Sequence, residues 1–336
     1  MLLDERVRGW LDVPHAERPE RMSLTYTLFE RSGVLAQLER VPAREATVEE
    51  LALVHTERHV EAMRAACAQD GVVWVGPEAR VTRASWQAAL VAVGGLLECV
   101  DRVADGSLAT AYVFCRPPGH HASADRAMGF CLFNAVAIAA RRLQRRHGIE
   151  RLAIVDWDVH HGNGTQAIFD DDASVLFVSL HQDGLYPKGS GALGEGGATT
   201  LNVPLPAGTG DDGYVFAFEQ VVAPALRAFR PEFVLVSAGQ DPAAGDTHGR
   251  MSMTTEGFRA LAAGTRSLAA DLCDARTVAF QEGGYGLDHL PFCNLAVVEA
   301  LAGLPPSWRK DPLELDVPEG VSDEVRRAVE AAAMRL

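Results

Sequence analysis

The sequence predicts an α/β protein with a central, mostly parallel sheet and helices on both faces. Three observations predict it. Apolar, β-rich runs at 109–115 (ATAYVFC), 151–157 (RLAIVDW), 174–180 (SVLFVSL), 232–238 (EFVLVSA) and 276–281 (RTVAFQ) read as buried strands. Helical stretches lie among them at about 133–147, 213–229, 255–273 and 289–303, and such alternation builds parallel sheets. A polar motif follows each strand. Ligands of open parallel sheets bind outside the carboxyl ends of the strands, so these motifs would converge on one cleft.

In chain order, residues 20–40 take helical apolar spacing after a proline-rich opening, VPHAERPER. Thr47 and Glu50 form a capping-box pattern ahead of a short second helix. Residues 57–69 and 84–104 read as further helices, and the loop from Asp70 to Ser85 is short, with no lid. The longest apolar stretch, Ala88 to Val100, is broken by Gly94, Gly95 and Glu98 and is too short to span a bilayer. No repeat or linker occurs before about residue 304. The last stretch, 321–336, is amphipathic and looks like part of a C-terminal appendage.

The chain has 336 residues, 48% hydrophobic and 23% charged, which suits a folded globular protein. Its net charge of −14 argues against a nucleic-acid partner, which normally meets a basic face. The six cysteines form no C-x-x-C pair and lie in apolar segments, the pattern of free thiols in a reducing cytoplasm. The opening MLLDERVRGW lacks the pattern of a secretory signal.

The chemistry concentrates in DWDVHHGNGT, residues 156–165. Charged groups at the end of a core strand are costly to bury unless something pairs with them. In an extended strand, side chains at i and i+2 share a side, which aims Asp156, Asp158 and His160 one way. A lone D-x-H is more often a hydrogen-bonded core pair. Asp241, at another strand end, adds a third candidate ligand. Two aspartates and one histidine leave a position open, which is the catalytic metal pattern. Zn²⁺ is the first expectation, and the oxygen-rich set would also accept Fe²⁺ or Co²⁺.

His120 and His121 follow Pro117-Pro118-Gly119. Adjacent imidazoles held near a metal can take and return a proton. Asp156 and Asn163 are candidate acceptors that orient this pair. Gly283-Gly284-Tyr285 puts a phenol on a flexible strand-end loop, as a donor to a developing oxyanion. Phe130 and Tyr186 would wall a pocket, with Gly129 and Gly284 beside the aromatics completing it, although core packing explains each aromatic almost as well. His161 is expected to make a structural hydrogen bond.

RPPGHHA, GFCLFN, DWDVHHGNGT, SLHQ, LNVPL, SAGQD-x3-GD and EGGY, in this order, resemble the histone deacetylase superfamily. The class II and bacterial amidohydrolase branch is most similar, given Asn163 and the opening HAERPERM. The resemblance runs from about residue 4 to 305, so 1–305 is expected to be the deacetylase domain and 306–336 a C-terminal extension. It implies the arginase–deacetylase fold, zinc held by Asp158, His160 and Asp241, His120 and His121 as general base and acid, and Tyr285 as the carbonyl-polarising phenol. It also implies potassium bound by Asp156, Asp158, His160, Ser179 and Leu180, and a second monovalent site around Phe169, Asp172, Val175 and Tyr214. The implied partner is an acylated lysine peptide or a small acylated amine, with neither nucleic acid nor membrane involved and a homo-oligomer left open.

Three positions depart from the family pattern: Gln240 stands where an aromatic is usual, Pro242 where a small residue is usual, and His248 at the pocket mouth where an aliphatic is usual. They bear on substrate identity. The expected reaction removes acetyl from a lysine-like ε-amide. His248 cannot attract a cation, so acetyl-lysine in a peptide is expected to react in preference to acetylspermidine. An acetylpolyamine hydrolase is the main rival. A ureohydrolase would need a carboxylate where Ala243 stands, and a non-catalytic acyl-lysine binding module would be expected to have lost Tyr285 or a ligand.

Overall fold

The computed structural model describes residues 15–308 and 310–336. The opening MLLDERVRGW, and the reading made of it, lies outside the described residues. Helices α1 (Glu20–Ser32), α2 (Val48–Leu51) and α3 (Glu57–Cys67) come first. α1 stops at Gly33, whose φ of 76° suits glycine, so the helix read over 20–40 is shorter and a 3₁₀ turn follows at Val34–Gln37. Both bonds of the Thr47–Glu50 capping box form at α2.

The segment read as a plain loop holds an antiparallel hairpin of β1 (Val73–Gly76) and β2 (Ala79–Val81). These strands are too short to carry a periodic signal. Next come α4 (Arg83–Ala104), β3 (Thr110–Val113), α5 (Ala135–His147), β4 (Leu152–Asp156), α6 (Asn163–Phe169), β5 (Val175–Gln182) and β6 (Thr200–Leu205). The helix read over 213–229 is α7 (Asp211–Ala217) and α8 (Ala223–Phe229), joined by a π turn. β7 (Phe233–Ala238), α9 (Thr255–Cys273), β8 (Thr277–Gln281), α10 (Leu290–Ala302) and α11 (Asp323–Ala333) complete the order.

Six strands form one sheet in the order β3-β8-β7-β4-β5-β6, with every neighbouring pair parallel. β6 is the strand that the sequence hides. It lies at an edge and contains Pro204, and edges are where sheets admit proline. The inner strands β4, β7 and β8 bury every residue. Alternate side chains enter two cores. Ile154, Phe177, Leu235 and Phe280 join the core built with α4 and α5, while Val155, Val178, Val236 and Ala279 join the one built with α9 and α10. Both faces being covered, the strands read as unbroken apolar runs. Truncating one such aliphatic side chain to alanine costs about 2–5 kcal/mol.

Helix α11 adds Val325, Val329 and Ala332 to the second core, so the last helix packs on the body of the protein. All six cysteines are buried and unpaired. Among the described residues, no helix is long and apolar enough to cross a membrane.

Candidate active site

β4 and β7 are neighbours in the sheet, and residues just past their carboxyl ends meet. Asp158, His160 and Asp241 each offer one ligand atom within 4.8 Å of the others. His160 Nδ1 is 2.9 Å from Asp158 Oδ1 and 3.1 Å from Asp241 Oδ2. Strand geometry does not produce this grouping, because β4 ends at Asp156. Beyond it the chain curls. Asp158 N–H donates to Asp156 Oδ1 at 3.0 Å, and His160 N–H donates to Asp158 Oδ1 at 2.9 Å.

Asp158 and Asp241 are fully buried, and Asp241 Oδ2 has His160 Nδ1 as its ion-pair neighbour at 3.1 Å. Burial opposes charge on His160, yet its bonds to Asp158 and Asp241 raise the imidazole to about 10. The space between the carboxylates therefore calls for positive charge, which a divalent cation would supply in place of that proton. The donor set fits such a cation. Gly283 keeps the space clear, since a Cβ there would lie 2.0 Å from Asp241 Oδ2.

The loop after β3 brings in His120 and His121, whose ring centroids are 4.1 Å apart. His120 Nδ1 donates to Asp156 Oδ2 at 3.0 Å, and His121 Nδ1 donates to Asn163 Oδ1 at 2.7 Å. That leaves both Nε2 atoms for chemistry. Gly129, at φ 52°, packs against His121, and a Cβ there would come within 2.4 Å of the imidazole. Tyr285 arrives from beyond β8, its ring 4.5 Å from His248 and 5.7 Å from Phe130. These side chains, with His160, Tyr186 and Glu78, line a cavity of about 280 Å³.

The histone deacetylase domain matches residues 15–301 of this sequence. The chain belongs to the histone deacetylase family. A histone deacetylase-like amidohydrolase of Pseudomonas aeruginosa is 40% identical over 96% of this chain and 87% of its own length. A probable deacetylase of Archaeoglobus fulgidus is 36% identical over 89% of this chain and 84% of its own length. The crystal structure of the HDA15 HD domain superposes with a TM-score of 0.87 at 34% identity, covering 99% of this chain and 94% of that one. The parallel sheet and its helices are the arginase–deacetylase fold, and the family's chemistry is amide hydrolysis.

Two pocket residues expected of this deacetylase-family site lie elsewhere. Gln240 is fully buried and outside the cavity lining. Gly284 is also outside it, with Gln240 Cβ 3.0 Å from where a Cβ on Gly284 would sit. Gln240 precedes the candidate ligand Asp241, and successive side chains of an extended chain turn opposite ways. Ser179 pairs with Asp156 across β4 and β5, so the potassium donors named on these strands are adjacent. Of the second monovalent set, Phe169, Asp172 and Val175 lie on two consecutive turns, where Phe169 C=O accepts Asp172 N–H and Asp172 C=O accepts Val175 N–H. Tyr214 comes from α7, its buried hydroxyl without a hydrogen-bond partner. His161 holds structural bonds, 2.6 Å from Ser190 Oγ and 2.9 Å from Gln166 Oε1.

Several residues at the site escaped the sequence reading. Glu282 Oε2 accepts the Gly119 and His120 N–H groups at 2.6 and 3.2 Å, fixing the histidine loop to β8. Arg21 donates to the Gly284 and Glu282 carbonyls at 2.6 and 2.7 Å, and its guanidinium lies 4.8 Å over the Tyr285 ring. Glu17 pairs with both Arg21 and Arg116. Gly283 N–H donates to Asp158 Oδ2 at 2.8 Å, and Gly283 C=O accepts Gln240 N–H at 3.1 Å. The Gly-Gly-Tyr loop expected to be flexible is thus hydrogen-bonded on both sides. Only EGGY hinted at Glu282, and nothing local in the sequence ties Arg21 to a loop 263 residues away.

The histidines are electrostatically split. Burial lowers His121 well below the usual imidazole range, and the neighbouring His120 and His160 lower it further. Burial also opposes charge on His120, but the Asp158 and Asp156 carboxylates raise it well above that range. Burial, helped by Asp241 and Asp158 against Arg21, raises the Tyr285 phenol well above its usual value. It remains a donor at neutral pH.

Proposed function

We propose that this chain is a zinc-dependent amidohydrolase that removes an acyl group, acetyl foremost, from a lysine-like amine. The observation that carries the reading is one cavity lined by His160, His120, His121 and Tyr285, with Asp158 and Asp241 grouped with His160 behind it. Bound there, zinc would polarise the amide carbonyl and lower the pKa of a water. His121, neutral and with Nε2 free, takes the proton of the attacking water. His120, charged and oriented by Asp156, supports the negative charge that develops and, with its neighbour, returns a proton to the leaving amine. Tyr285 donates its hydroxyl to the developing oxyanion.

Residues 1–305 form the catalytic unit in this reading and 306–336 an extension. Potassium would be held by Asp156, Asp158, His160, Ser179 and Leu180, and six unpaired thiols favour a cytoplasmic setting. A second reading, hydrolysis of an acylated polyamine, is favoured by Glu78, a carboxylate that lines the same cavity as His248. The deciding assay sets acyl-lysine peptides, free acyl-lysine and acetylpolyamines before the zinc-loaded protein. Hydrolysis of none of these amides would overturn both readings.

A further inference from the structure

The aspartate five residues past Asp241 belongs to the SAGQD-x3-GD motif, yet it is not among the grouped metal ligands. Asp246 follows Gly245, at φ 80°, in a turn closed by Asp246 N–H to Ala243 C=O. Its carboxylate spends both oxygens on backbone. Oδ2 accepts the N–H groups of Tyr285 at 2.6 Å and Gly286 at 2.8 Å, while Oδ1 accepts the N–H of His248 at 2.8 Å. One side chain therefore holds two segments that are distant in sequence, and their rings, His248 and Tyr285, lie 4.5 Å apart at a tilt of 47°. Arg21 grips the carbonyls of the Tyr285 loop, and Asp246 grips its amides.

We propose that Asp246 is a positioning residue that fixes the Tyr285 hydroxyl against the substrate carbonyl and couples that loop to His248 at the pocket mouth. The proposal rests on Tyr285 acting as the oxyanion donor. A carboxylate suits the task because it accepts on both oxygens, and its charge strengthens bonds from N–H donors. An asparagine keeps the size but turns a donor NH₂ towards N–H groups on one side. At least one of the three bonds is then lost. Placement matters because a reacting group about 1 Å out of place can cost about 10²-fold in rate.

The test compares zinc-loaded wild type, Asp246→Asn, Tyr285→Phe and the double variant on one acetyl-lysine peptide, with amide hydrogen exchange on each. Asp246→Asn should raise exchange around 246–248 and 283–288 while β4 stays protected and metal content holds. Its kcat should fall about 10²-fold, with KM changing far less. In the Tyr285→Phe background the same change should cost little more, because the group being positioned is gone. Unchanged exchange, or a full independent loss in the double variant, would overturn the proposal. If Tyr285→Phe keeps wild-type activity, the oxyanion-donor reading fails, and the exchange result still decides whether Asp246 holds the loop. Should Asp246→Asn expose amides throughout, Asp246→Ser, smaller and uncharged, is read for the same local pattern.

Discussion

Beneath the floor of the cavity Asp158 and Asp241 are fully buried: Asp158 N–H donates to Asp156 Oδ1, and the Asp241 and Asp158 carboxylates accept the Val159 and Gly283 N–H groups. At the mouth Glu78 and Thr247 are exposed and His248 is half-buried, its ring meeting only Thr247, Phe130 and Tyr285 among the described contacts. The floor has low dielectric and little freedom, so a charge there acts strongly and a lost partner is costly. The mouth is solvated, so its charges are screened and bias which amine enters more than how fast it reacts. Changes at the floor should therefore act on rate and metal, and changes at the mouth on selectivity.

The largest effect expected is at the floor. Asp241→Ala removes one of the three proposed ligands, and activity should fall to background as the divalent ion is lost. Elemental analysis should give close to one ion per wild-type chain and well under one for the variant. Two ions per wild-type chain would overturn the mononuclear site. Tyr285→Phe comes next. Removing one oxyanion donor should lower kcat by about 10²–10³ while metal and fold are kept. Near wild-type turnover would make Tyr285 a packing residue and weaken the contrast between floor and mouth.

The floor also sets the pH profile. His121 must be neutral to take a proton, and burial with two neighbouring imidazoles lowers its pKa below 6.5. Activity should be retained as pH falls to 6.5 and be lost only further into acid. Tyr285, raised above 10, should impose no loss on the alkaline side up to that pH. Half-loss of kcat/KM at or above pH 6.5 in the zinc-loaded enzyme would show that another group is the base.

The smallest effects belong to the mouth. Glu78→Gln should lower kcat/KM for acetylspermidine roughly fivefold, the scale of about 1 kcal/mol for a solvated charge pair, and leave an uncharged amide unaffected. His248→Glu should shift the ratio towards the polyamine. Equal changes for charged and uncharged substrates would place both residues in catalysis and erase the distinction. Wild-type preference for acetylspermidine over the lysine peptide would make Glu78 the dominant charge at the mouth, against the selectivity argued from His248 alone.

Five of the six strands of the main sheet, the polar motifs after them, and Asp158, His160, Asp241, His120, His121 and Tyr285 were all legible in the sequence. Strands buried on both faces leave unbroken apolar runs, and a chemical group at a strand end stands out against them. The hairpin at 73–81 and the edge strand with Pro204 were not, because short or half-paired strands need no such pattern. The bend that brings Asp158 to His160 was also hidden, since it comes from side-chain bonds to backbone amides rather than from strand alternation.

The sequence by itself determined the fold class and which residues are candidates for the chemistry. Tertiary structure alone decided how these residues are held and what surrounds them. Arg21, Glu282 and Asp246 bond to backbone N–H or C=O groups of distant loops. Every residue but proline offers those same groups, so no pattern of side chains marks the partner. Glu78 reaches the cavity only because Gly129 and Phe130 N–H groups bond to the hairpin turn at Pro77 and Glu78. The split between His120 and His121 likewise depends on which carboxylates and imidazoles folding buries beside each ring.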